Sequence, residues 1–125
     1  MIAIISRQKL LLIFHVFTSL KIFIAEKEKL IDVFDKAVDN MREQRPPQPH
    51  LIQQVIDHAT SALRFDTKNE ALYSTRAACS ARLHNFKAAL RDFLVIDEFQ
   101  PSDANNRKIA IVSALEKGII SCNIT

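Results

Sequence analysis

Between Asn69 and Pro101 the chain runs NEALYSTRAACSARLHNFKAALRDFLVIDEFQP. This stretch reads as two helices joined by a tight turn at Leu83-His84-Asn85. Ala77 and Ala89 let the paired helices approach closely, while Tyr73, Phe86 and Phe93 fill the space around them. Composition favours the same class. A single glycine, Gly118, and four prolines leave few residues for tight turns, which disfavours an all-β fold. One glycine also excludes a phosphate loop or a dinucleotide fingerprint, both of which need several for close backbone approach. With 125 residues, 48% apolar and 25% charged, the chain has material for one domain with a packed core.

Tyr73, Ala77, Phe86, Ala89, Phe93 and Pro101 follow the order aromatic, small, aromatic, small, aromatic, closing proline. Stepping back 34 residues from Pro101 reaches Thr67. The stretch before it, VIDHATSALRFDT, parallels ALRDFLVIDEFQP, with Val55 matching Ala89, Ile56 Leu90, Ala59 Phe93 and Phe65 Phe99. In these residues and in its period of about 34 the chain resembles the tetratricopeptide repeat family. The resemblance covers roughly residues 30 to 118. It implies an all-α fold of antiparallel helix pairs stacked in a short right-handed superhelix, with a C-terminal capping helix. There are departures: Arg76 stands where leucine is common, Ser80 where an aromatic is expected, Ile96 for alanine, His84 at a turn position often held by glycine, and Thr67 for a closing proline.

Residues 1–25 are strongly apolar, with Arg7 and Lys9 ahead of the run and His15, Thr18, Ser19 and Lys21 interrupting it. They admit three readings: a helix packed over the exposed end of the repeats, a membrane anchor, or a cleaved signal. A lysine near the centre of a spanning helix costs about 2.5–3.5 kcal/mol. From Glu26 a separate helix is predicted to about Gln44, packing through Leu30, Ile31, Phe34, Ala37, Val38 and Met41. Pro46, Pro47 and Pro49 end it and form a stiff linker, either a loop insertion within one repeat or a polyproline ligand. A helix over His50–Phe65 follows, facing inward with Leu51, Val55, Ile56, Ala59, Ala62 and Leu63. Thr67 and Glu70 form a capping box for a helix from about Lys68 to Leu83. The next helix spans Phe86–Phe99, and Ser102 or Asp103 caps a fifth that carries Ile109, Val112 and Leu115 and stops at Gly118. Residues 119–125 are a short apolar tail.

Within the family, Leu72 to Ala78 (LYSTRAA) resembles the YSNRAA stretch of chaperone-binding co-chaperone repeats, whose lysine, arginine and asparagine side chains clamp the C-terminal carboxylate of a chaperone tail. Thr75 replaces the decisive asparagine, Asn105 and Ile109 stand where cations are expected, and Ile31 and Asp35 hold the approximate places of Lys and Asn. The frame of that signature is kept without its chemistry. The inward face still offers Ala71, Ser74, Thr75, Ala78 and Arg82, with Lys108 joining from the fifth helix. Small residues flanked by two cations suit a peptide carrying an acidic group; a solvated face that binds nothing tightly is the plainer reading.

The expected function is that of a cytoplasmic adaptor binding a peptide or protein partner, the acidic tail of a chaperone among them. The alternative is a membrane-anchored receptor or tether facing the cytosol. A net charge of +3 without a Lys/Arg block argues against nucleic acid. Catalysis, cofactors and metal are not expected. His15, His50, His58 and His84 lack ligand spacing with each other or with Cys79 and Cys122. The adjacent pair Asp57 and His58 diverges on a helix, Ser80 and His84 have no orienting acid, and Asp92, Asp97 and Glu98 read as a solvated stripe. The two cysteines read as reduced thiols, with a disulfide only if the chain is secreted.

Overall fold

A computed structural model describes residues 6–120. The five helices are α1 (Arg7–Glu43), α2 (Pro49–Leu63), α3 (Glu70–Arg82), α4 (Phe86–Phe99) and α5 (Asp103–Glu116), and the described residues contain no strand. Each helix packs on the next in the chain. Directions alternate: Phe23 and Lys27 of α1 meet Phe65 and Asp66 beyond the end of α2, and Tyr73 near the start of α3 meets Phe99 at the end of α4.

Local chemistry sets the ends. The hydroxyl of Ser6 accepts the amide of Lys9, Pro49 opens α2 at a position where its missing N–H costs nothing, and Asn85 and Ser102 cap α4 and α5 by accepting the amides of Ala88 and Asn105. The expected box at Thr67 and Glu70 does not form. Asn69 is the cap, accepting the amide of Leu72 at 3.3 Å, so α3 starts at Glu70 rather than Lys68. Asparagine caps better than threonine, and Asp66 holds the Asn69 amide at 2.9 Å, fixing the carbonyl toward the helix. Thr67 instead accepts the Tyr73 hydroxyl on its backbone carbonyl.

The α3–α4 turn closes with the amide of Asn85 donating to the Ser80 carbonyl at 2.9 Å and that of His84 to Ala81 at 3.0 Å. This places His84 at a φ of 61°, the left-handed position that glycine holds more cheaply. The same closure after α5 uses Gly118, φ 73°, with Ile119 donating to Ala114.

The core falls on two sides of α3. Toward α1 and α2, Leu72 and Cys79 join Phe34, Val38, Met41, Val55 and Ala59. Toward α4 and α5, Ala77 joins Ala89, Phe93, Ile96 and Val112. Ala77 and Ala89 are both 0% exposed. Ile52 is buried in α2, outside the expected inward set, while Leu51 and Ile56 are only half-buried.

The N-terminal segment departs from expectation. No separate helix begins at Glu26: α1 passes unbroken from Arg7 to Glu43, because Ala25-Glu26-Lys27-Glu28-Lys29 contains only strong helix formers and nothing that turns. A rod without a turn cannot fold back, so residues 6–22 do not cover an end of the helical stack and are exposed throughout. Packing begins at Phe23, against Phe65, and is complete by Phe34. Residues 1–5, and 121–125 of the expected tail with Cys122, lie outside the described residues.

Candidate peptide-binding cleft

α1 and α3 both pack on α2, and a cleft of about 650 Å³ lies between them. One wall is the end of α1 with Val38, Met41 and Arg42, continued by Gln44, Arg45 and Pro47 of the connection; the other is α3 with Ser74, Thr75, Ala78, Cys79 and Arg82. Three arginines line it and no carboxylate does. Its floor is apolar: the thiol of Cys79 is 3.9 Å from the sulfur of Met41. Burial pushes the Cys79 thiol up, with the Arg82 charge opposing it, so the thiol is neutral at physiological pH and acts as a small hydrophobe.

Of the residues expected to form the groove, Ser74, Thr75, Ala78 and Arg82 come together here. Ala71 is exposed on α3 but outside the cleft lining. Lys108 does not join it. Lys108 sits with its ammonium 5.8 Å over the ring of Phe93, in a second, apolar pocket of about 300 Å³ between α3 and α5 that also takes in Phe86 and Ile111. Arg82 lines both pockets. Arg42 and Arg45 are the functional candidates that sequence reasoning missed. The available signal was the heptad-like face itself: Val38 and Met41 point inward, so basic residues just after Met41 emerge at the rim of the same face.

None of Ile31, Asp35, Asn105 and Ile109 lines this cleft. Asn105 is buried and donates its amide to the carbonyl of Phe93 at 2.9 Å, which gives it a structural task. Asp92 also differs from expectation. It is not part of a solvated stripe but buried, with its two oxygens held by Nε and Nη2 of Arg76 at 2.9 and 2.6 Å. Arg76 donates further to Thr60 and lies 5.7 Å over the ring of Tyr73. Arg76 on α3 thus has its counter-ion on α4. Among the described residues, no three His, Cys, Asp or Glu side chains group as metal ligands. Comparison with protein-family models, with curated proteins and with solved structures gives no match.

Proposed function

We propose that residues 26–118 are a tetratricopeptide-like adaptor module that holds an acidic segment of a protein partner in the α1–α3 cleft. In this reading the C-terminal half of α1 pairs with α2, α3 pairs with α4, and α5 caps a short right-handed superhelix. The observation that carries it is the cleft lining: Arg42, Arg45 and Arg82 without a carboxylate, around the small side chains of Ser74, Thr75 and Ala78. Arginine forks bind carboxylates by paired, charge-assisted hydrogen bonds, and small residues let an extended backbone approach. The acidic C-terminal tail of a cytosolic chaperone is the partner class implied by the repeat resemblance. Titration with acidic C-terminal peptides tests this. Arg82→Glu is expected to weaken binding about tenfold, 1.4 kcal/mol, and added salt to weaken the wild type. Equal, salt-insensitive binding by both proteins sinks the reading.

A second reading has its own observation. The apolar part of α1 reaches a mean hydropathy of 1.5 over eighteen residues, none of them buried. An exposed apolar surface of that size is costly in water, and a bilayer would cover it. The module is then a membrane-tethered receptor facing the cytosol. Alkaline extraction of membranes is expected to leave the chain in the pellet; complete release into the supernatant rules out the anchor.

A further inference from the structure

The apolar half of α1 and one wall of the arginine cleft belong to a single helix. That helix is fastened to the rest of the fold at the end of its apolar half. The Phe23 ring is 5.2 Å from Phe65, and the Lys27 ammonium is 3.7 Å from Asp66. Phe65 and Asp66 lie in the turn between α2 and α3, so this turn sits level with the end of the apolar segment. Leu10 to Ile24 rises about 22 Å, somewhat less than a hydrocarbon core of about 30 Å. Arg7 and Lys9 at one end and Lys21 near the other can extend their heads to the headgroups along apolar stems.

Taking the bilayer reading as premise, the geometry points to a fixed stance: α1 enters the membrane end-on, the α2–α3 turn rests at the headgroups, and the cleft opens into water with Arg42 about 27 Å beyond Ile24. The near end carries mixed charge: Asp66 is paired with Lys27, Glu70 lies beside Lys68, and Asp97 and Glu98 precede Phe99 where it meets Tyr73. The far end carries Arg42, Arg45 and Arg82. In this stance the arginines lie beyond a screening length of about 8–10 Å from the headgroups. The cleft's occupant is therefore an acidic protein segment arriving from water, not a lipid headgroup of the same membrane.

The chain has no tryptophan, so single introduced ones report position without background. Leu12→Trp, Phe65→Trp and Lys87→Trp are made in the full chain, which is mixed with phosphatidylcholine–phosphatidylglycerol vesicles carrying bromine near the headgroup or near the chain ends. The protein is expected to float with the vesicles. Leu12→Trp should be quenched most by deep bromine and Phe65→Trp by shallow bromine, with Lys87→Trp, at the far end, quenched several-fold less than either. Three glycines inserted after Ala25 should lower the quenching of Phe65→Trp several-fold by freeing the turn. Failure to float removes the bilayer premise and the stance with it. Flotation with Leu12→Trp and Phe65→Trp equally shallow, or with Lys87→Trp quenched like Phe65→Trp, means the rod lies flat; it overturns the stance and leaves the bilayer reading standing.

Discussion

Replacing Arg76 by alanine is expected to lower the stability of the fold by about 3 kcal/mol, and replacing Asp92 by alanine by less, about 1–2 kcal/mol. The asymmetry follows from reach. The Asp92 side chain is 8% exposed and short, so without its partner the carboxylate stays desolvated. The Arg76 side chain is 23% exposed at the mouth of the space between α2 and α4 and can swing its head into water once Asp92 is gone. Removing both partners together, as Arg76→Met with Asp92→Leu, should recover most of the loss, because a buried pair is worth little against well-packed apolar side chains. The hydrogen bonds that Arg76 donates to Asp92 raise the Arg76 pKa above its ordinary value, with burial working against it. A raised folded pKa means that the pair's contribution is intact on the alkaline side until the pH passes arginine's ordinary range, so the difference between wild type and Arg76→Ala should stay level from neutral to moderately alkaline pH. Urea unfolding of the three variants measures this. Losses below about 0.5 kcal/mol for both single variants would mean that the pair is solvated and peripheral.

Much of the fold could be read from local pattern, and its failures are local too. The α4 span Phe86–Phe99 and the caps after it are the expected ones, since apolar spacing and capping side chains there agree. The cap expected at Thr67 lies two residues on, at Asn69, whose side chain is held by Asp66 through a bond that no pattern displays. At Glu26 the composition changes without the boundary in structure that such a change implies. The alternating Glu and Lys mark the passage from an exposed apolar surface to a packed one on a helix that continues. The cleft was half legible. Ser74, Thr75, Ala78 and Arg82 follow from the register of α3 alone, whereas Arg42 and Arg45 belong to it only because the end of α1 is set opposite α3 by α2. Lys108 lies away from the cleft for the same kind of reason: α5 packs on α4, and this puts the lysine over Phe93.

Ala77→Leu and Ala89→Leu should each cost about 3 kcal/mol, near the upper end for overpacking a closed core. Both positions are completely buried, at the place where α3, α4 and α5 share Phe93, Ile96 and Val112. Three added carbons cannot be housed at interior packing densities of about 0.75 without pushing the helices apart. Ala110→Leu is the control: Ala110 is exposed on α5, so its change should stay within about 0.5 kcal/mol. For a chain of this size the two buried substitutions correspond to a fall in Tm of roughly 10–15 °C. The effect on the cleft separates the two sides of α3. Its walls rest on Val38, Met41 and Cys79, in the other half of the core, so Ala77→Leu and Ala89→Leu should leave peptide affinity unchanged at temperatures where the protein is still folded. Ala59→Leu, in the core shared by α1, α2 and α3, should damage affinity and stability together. A Tm for Ala77→Leu within about 2 °C of wild type would mean that α3 and α4 do not meet through this alanine, and the stacked-pair arrangement would have to be abandoned.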